Sequence, residues 1–331
     1  MNPPAVPAWT AFKDRKTGLV VFGFFTALLG VFCALFVPLL FFGQAISAKG
    51  GAPAQNVGIW PAALIYGVMA IVLVWLGIGS MMARRWAGAL LLIFSWSWLV
   101  IGVTSTAVMG FVLPQMMEAM NSAIPPGGPP PPTALLVWIP MLTIGFIYLV
   151  LPTAWLLFYR SRHVKATCET YDPIVRWTDR APLPVLAASL WLGLSGLMML
   201  VMATAFKGVL PAFGVFVTGP LGSAIYVLYG VALGYSAWAI YRLDVRGWWI
   251  VVVSLCLWTV SAAVTYSRHD LSEVYSLMGY PEQQIQEMRK FTFVSGQGVV
   301  WTTVAVMLPM FGYLLYIRRF LTGSRERKLE S

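Results

Sequence analysis

The sequence predicts an all-α polytopic membrane protein: eight transmembrane helices as two parallel four-helix repeats, each with a short extracytoplasmic surface helix before its fourth span. Three observations predict it. Of 331 residues, 59% are hydrophobic and only 10% are charged, against roughly 25% charged in soluble domains. Eight apolar runs are long enough to cross a hydrocarbon core about 30 Å thick. The order of residues in the first half also recurs in the second at an offset near 160. With a mean hydropathy of +0.77, the composition excludes a soluble enzyme, a disordered chain and a nucleic-acid binder. The formal net charge of +10 is read as the cationic cytoplasmic loops of a membrane protein.

The spans, in order, are Gly18–Phe42, Ile59–Met81, Ala87–Phe111, Ala134–Tyr159, Pro184–Ala205, Ser223–Tyr241, Trp248–Tyr266 and Val299–Tyr316. Each is a continuous apolar run, which means helices, because barrel strands alternate and need only about 10 residues. The first follows Lys13-Asp14-Arg15-Lys16, as a signal peptide would, and small residues at Ala45 to Ala48 mimic a cleavage site. Its 25 apolar residues exceed a signal-peptide core of about 7–15, so it is kept in the membrane. Cys33 and Cys256 fall inside apolar runs and Cys168 in a polar loop. That is neither a disulfide framework nor a zinc set.

Orientation follows from the cations. With the N-terminus inside, the cytoplasmic segments hold 17 of the 22 Lys and Arg and the outer loops hold 5, as the positive-inside rule requires. Trp60, Trp86, Trp138, Trp248, Trp249 and Trp301 stand at span ends, where amphipathic rings favour the interface. The expectation is a multi-pass cell (inner) membrane protein with both termini cytoplasmic. Its partners are the lipid bilayer, anionic lipid at the cytoplasmic basic loops and possible membrane-protein partners, with no nucleic acid.

The duplication rests on ordered matches. Ile65-Tyr66 answers Ile225-Tyr226; Arg84, Trp86 and Trp96 answer Arg246, Trp248 and Trp258 at an offset of 162; Pro152 and Tyr159 answer Pro309 and Tyr316 at 157. The repeats are taken as 1–165 and 166–331. Before each fourth span the outer loop carries a proline-led segment, Pro114 to Met120 and Pro281 to Met288, which reads as a short helix start. An even number of spans per repeat gives both halves one orientation and a pseudo-two-fold axis along the membrane normal.

The chemistry is defined by what the spans lack. Every Asp, Glu, Lys, Arg and His falls in a loop or at a span end, whereas ion pathways and proton relays carry ionisable groups inside the membrane. His163 and His269 fall on opposite sides of the membrane. No catalytic set emerges, an enzyme is not expected, and no cofactor is assigned. Met116, Met117 and Met120 are soft ligands of the kind that suits Cu(I). A membrane-surface helix buries Met as readily as Leu, however, and the second repeat has Gln283, Gln284 and Gln286 there, so no metal is assigned either. Hydroxyls gather in the third and seventh spans. Ser95, Ser97, Thr104 and Thr259 are the candidate cavity-lining residues, against the ordinary alternative of a bond to the carbonyl one turn back. Small-residue stripes at Thr26-xxx-Gly30-xxx-Ala34, Ser189-xxx-Gly193 and Gly230-xxx-Gly234 let helices approach closely.

Two functions compete. One is binding or translocation of an uncharged or lipid-like ligand between the two repeats. The other is a non-catalytic membrane subunit or scaffold packing in a larger complex, with Trp96, Trp98, Trp191 and Trp258 as partner surface.

Overall fold

The computed structural model describes residues 12–49, 59–122, 139, 141–205, 207–289 and 295–329. Side chains at 47–49, 111–112, 114–116, 118–122, 287 and 322–329 are not described. The helices are α1 Lys16–Lys49, α2 Ile59–Met81, α3 Arg85–Ser122, α4 Leu151–Tyr159, α5 Arg162–Tyr171, α6 Leu183–Ala205, α7 Gly219–Tyr241, α8 Val245–Tyr266, α9 Leu271–Met278, α10 Glu282–Met288 and α11 Gly296–Leu329. Eight helices among the described residues are long and apolar enough to cross a membrane. The protein is therefore a multi-pass helical membrane protein. The start of the expected fourth span, 134–138 and 140, lies outside the described residues; the described part of that span is Met141–Tyr159.

One of the two proline-led segments differs from the expectation. Pro114 does not open a separate helix: α3 continues through it to Ser122, since spanning helices tolerate proline where neighbours re-satisfy the freed backbone. Before α11 the Pro281-led segment forms the short helix α10, and a further short helix, α9, precedes it. Gly279, at φ 92°, ends α9 in the left-handed conformation that glycine adopts most easily.

Contacts divide the chain into two compact units: Met1–Ala34 with Val68–Arg180, and Leu35–Gly67 with Ala181–Ser331. In the first, α1 and α2 cross at glycines. A Cβ on Gly77 would stand 2.6 Å from both Gly23 O and Ala27 N, and one on Gly30 would stand 2.9 Å from Ala70 O. Leu19, Leu76, Leu91, Trp155 and Tyr159 form the core beside this crossing, and Phe22 stacks on Phe158 at 4.1 Å. Three polar bonds tie the helices. Trp155 Nε1 donates to Thr26 Oγ1 at 2.9 Å. Ser80 Oγ donates to Leu19 O at 3.0 Å and lies 2.6 Å from the Tyr159 hydroxyl. With the Ser80 proton committed to Leu19, Tyr159 is the donor of that last bond.

Proline explains the fourth span. Its ring clashes with the carbonyl four residues back, and the backbone before Pro152 widens into a π-helical turn over Phe146–Val150, a usual remedy. Gly102 of α3 leaves room for the carbonyl of Tyr148 in that turn. Pro309, by contrast, lies inside an uninterrupted α11.

The second unit crosses α6 and α7 through Gly196 and Gly230, whose added Cβ atoms would meet each other's carbonyls at 2.8 and 2.9 Å. Its core is Val185, Leu233, Ile240, Trp248, Val251, Leu314 and Ile317. Trp248 Nε1 donates to Leu314 O at 2.7 Å and Tyr313 OH to Pro184 O at 2.6 Å.

A small hairpin interrupts the all-α pattern. Strands β1 (Leu210–Ala212) and β2 (Val215–Val217) pair antiparallel through Phe213 and Gly214, both at positive φ, as a two-residue hairpin turn demands. Ser261 Oγ accepts from Phe213 N and donates to Pro211 O, while Thr265 Oγ1 accepts from Gly214 N. Two hydroxyls of the seventh span are thus spent on fastening the hairpin.

The units repeat one local device. α2 ends with Ala83 N bonded to Ser80 O and Arg84 N to Gly79 O; α7 ends with Leu243 N bonded to Ile240 O and Asp244 N to Ala239 O. Each is a Schellman close, and each puts a non-glycine residue at positive φ, Ala83 at 52° and Leu243 at 62°, where glycine is usual. The helices that follow press back at an offset of 160. Gly79 makes room for the Cβ of Ala87 in one unit, and Gly247 for the Cβ of Ala239 in the other. A Gly/Ala pair is answered by an Ala/Gly pair. These turns align at 160, so the offset of 162 drawn from the tryptophans misaligns them by two residues. Accordingly Trp96 is exposed while Trp258 packs on Tyr226 and Tyr229.

Candidate functional site

The first unit carries a charged cluster where α2, α3 and α5 meet the 172–180 segment. Ser161 caps α5, its hydroxyl accepting from His163 N at 3.3 Å. The helix buries Val164, Thr167 and Cys168 and delivers Asp172 at its end. The N-terminal stretch docks on the same helix: Arg15 N donates to Thr167 Oγ1 at 3.0 Å, Lys13 N to His163 Nδ1 at 3.3 Å, and Tyr171 OH to Asp14 at 3.1 Å. That last bond raises the Tyr171 phenol above its ordinary value.

Asp172 is the centre of the cluster. Its side chain is 1% exposed, with Arg84 Nη1 at 3.8 Å and Arg176 Nε at 3.6 Å. It also accepts from the backbone N–H of Arg85 at 3.4 Å. In the second unit Asp244 serves the corresponding helix start within its own turn, accepting from Arg246 N at 2.9 Å. The first unit has Arg84 at that place in the turn, and the anion comes from a segment almost 90 residues away. Arg85 Nη2 reaches Asp179 at 3.4 Å and Glu169 at 3.7 Å. Asp179 in turn accepts from Arg176 N at 3.0 Å and shapes the short 3₁₀ turn Trp177–Asp179. Three arginines and three carboxylates balance within this network. Two buried atoms in it, Asp172 Oδ1 and Arg176 Nε, have no hydrogen-bond partner.

Beside the cluster an open groove of about 350 Å³ is lined by Trp75, Trp86, Arg176, Trp177 and Arg180. Trp75 and Trp86 stack at 4.1 Å and 22° and form an aromatic floor. Cys168 lies behind α3 facing Gly88. Burial first, then the charges of Glu169 and Asp172, push its thiol up to about 11, with Arg85 opposing. Because folding favours the protonated thiol, its contribution to stability holds below the ordinary thiol range and is lost as pH rises toward about 11.

The hydroxyls singled out from sequence are placed as follows. Ser95 is buried and bonds Leu91 O at 2.7 Å; Thr104 is exposed and bonds Val100 O at 2.9 Å; Thr259 is half-buried and bonds Leu255 O at 2.7 Å. Each serves the carbonyl one turn back, the ordinary use of a hydroxyl in an apolar helix. Ser97 is half-buried. Of the aromatic residues read as a partner surface, Trp96 and Trp191 are exposed, while Trp98 and Trp258 are half-buried. In the methionine cluster Met117 is half-buried; the side chains of Met116 and Met120 lie outside the described residues.

The groove was not among the sites expected from the sequence, although Trp177 and Arg180 beside Arg176, with Trp86 after Arg84-Arg85, mark an aromatic and cationic surface. Comparison with protein-family models, curated proteins and solved structures finds no match to the chain.

Proposed function

We propose that this protein binds or translocates an uncharged or lipid-like ligand within the bilayer, without enzymatic chemistry and without proton or sodium coupling through a buried carboxylate. One observation carries the reading. Among the described residues, no Asp, Glu, Lys, Arg or His lies deeper than the first or last turn of any of the eight spans. A ligand crossing such an interior meets no charged side chain among the described residues. Thr104 and Thr259 donate to their own backbone yet keep acceptor capacity and some exposure, which suits a neutral ligand bearing a donor; Ser95 is fully buried. The local resemblance between the units, two Schellman closes and two small-residue crossings, supports descent from one four-helix repeat. The distribution of cations among the loops supports a reading with both termini on the cytoplasmic side of an inner-type membrane, where such loops would attract anionic lipid at about 1 kcal/mol per cation.

The test is extraction of the full chain with its native lipid followed by mass spectrometry of whatever accompanies it. A neutral or lipid-like small molecule retained at near one per chain is the expected result. A stoichiometric polypeptide with no such molecule would favour the scaffold reading, for which the exposure of Trp96 and Trp191 is the supporting observation.

Orientation has its own test. In intact cells, Lys49→Cys, Glu118→Cys and Glu282→Cys react with an impermeant thiol reagent, and Arg84→Cys and Arg242→Cys do not. Outside labelling of Arg84→Cys reverses the assignment.

A further inference from the structure

We propose that the groove of the first unit is a binding site for one anionic glycerophospholipid of the cytoplasmic leaflet, with its phosphate between Arg176 and Arg180 and an acyl chain along α2. The inference deepens the lipid-like reading above and rests on the cytoplasmic placement of the 160–180 segment. It assigns a single built site, where loop charge alone would give only diffuse attraction.

Charge is the first argument. The arginines at 84, 85 and 176 are matched by Glu169, Asp172 and Asp179, so the network is neutral. Arg180 is additional: among the described residues it has no acidic partner, and it lines the groove. Arg176 faces the groove too, and its buried Nε has only Asp172 at 3.6 Å and no hydrogen bond. A phosphate oxygen supplies the counter-charge that Arg180 lacks and can reach the exposed part of the Arg176 guanidinium, whose buried Nε is turned inward to Asp172; guanidinium forks match phosphate geometry.

The second argument is the apolar path leading from the groove. Ile71, Trp75, Ile78 and Met82 follow at i, i+4, i+7 and i+11, which puts them on one face of α2 and of the turn that continues it, Met82 N bonding Ile78 O. They are 72, 50, 46 and 54% exposed. Trp75 belongs both to this stripe and to the groove floor, so the polar and apolar parts of the site are continuous. A soluble phosphate ligand would make no use of the stripe. A lipid with its phosphate at the level of the interfacial tryptophans uses both. The groove volume stands at the small end of small-molecule sites, roughly 300–1,000 Å³, which is room for a phosphate and glycerol with the chains outside.

The experiment is native mass spectrometry of the full-length protein in detergent, titrated separately with phosphatidylglycerol, phosphatidylcholine and inorganic phosphate. Saturable binding of one phosphatidylglycerol is expected, with phosphatidylcholine weaker and inorganic phosphate weaker still. Arg180→Gln should lower phosphatidylglycerol affinity about tenfold, as for loss of one charge-assisted hydrogen bond. Trp75→Ala should weaken both lipids. Arg242→Gln, a cytoplasmic-side arginine of the second unit stacked on Trp238 at 4.4 Å, should change nothing. Circular dichroism and monodispersity establish that each variant is folded. Equal losses in Arg180→Gln and Arg242→Gln would mean diffuse attraction and overturn the site, as would an unchanged Trp75→Ala. Inorganic phosphate binding as tightly as the lipid would overturn the choice of occupant. A neutral molecule still co-purifying with Arg180→Gln leaves the broader functional reading standing, so the two fail separately.

Discussion

Gly77→Val is expected to destabilise the first unit by about 3 kcal/mol, the upper part of the usual overpacking range. An added Cβ would stand 2.6 Å from Gly23 O and Ala27 N. Both are backbone atoms, so relief requires α1 to move away from α2, and the neighbouring core of Leu19, Leu76 and Tyr159 opens with it. Polar ties are too weak to compensate. Interhelical hydrogen bonds in membranes average about 0.6 kcal/mol, so Ser80→Ala, which removes two contacts, should cost less than half as much. Gly67→Val in the same helix is the control, because a Cβ there meets nothing within 4 Å. Unfolding in mixed detergent micelles, with monodispersity after extraction as a second readout, ranks the three. Equal stability of Gly77→Val and Gly67→Val would mean that the crossing does not hold the unit together.

The second large effect is expected at Asp172. Removing one partner of a buried ion pair costs about 3–5 kcal/mol. Arg84 and Arg176 are each 36% exposed, so water shares the burden and the lower end, about 3 kcal/mol, applies to Asp172→Ala. Asp244→Ala, which removes only a helix cap, should cost about 1 kcal/mol. Cys168 gives a direct reading of the difference. At pH 8 a thiol pushed up to about 11 is roughly a thousandth ionised, and it is 4% exposed, so a water-soluble alkylating reagent leaves it intact in the native protein. Asp172→Ala frees the 172–180 segment from α3, α5 loosens, and Cys168 labels rapidly at the same pH; Asp244→Ala leaves it protected. Slow labelling in both variants would show that Asp172 does not hold α5 in place.

How much of the candidate site was legible can be judged residue by residue. Arg176, Trp177 and Arg180 are adjacent in sequence, and a basic, aromatic loop next to a span is visible as such. That Asp172 sits under Arg84 is not visible, because the two are separated by the whole of α3, α4 and α5 and nothing local pairs them. The hairpin at Leu210–Val217 was missed for a different reason. Its strands have three residues each, too short for alternation to register, and its one signal is Gly214 at the second turn position inside an apolar run. The offset between the halves was read from tryptophans whose surroundings differ: Trp96 is exposed, Trp86 and Trp258 are half-buried and Trp248 is buried. The two similar turns that close α2 and α7 depend on Ala83 and Leu243 in a backbone conformation that their side chains do not advertise.

By itself the sequence determined the number of spanning helices and most of their extent, because the transfer of about 20 residues into hydrocarbon is a local sum that needs no partner. The tertiary structure alone decided which face of each helix is inside. Ile71 is 72% exposed and Leu73, two residues on, is 1% exposed, yet both are large aliphatic residues in one helix. In water the solvent-facing position would be polar and the pattern would show. In a bilayer the lipid is as apolar as the core, no periodicity separates the two faces, and close backbone approach at Gly23, Gly77, Gly196 and Gly230 selects the interface.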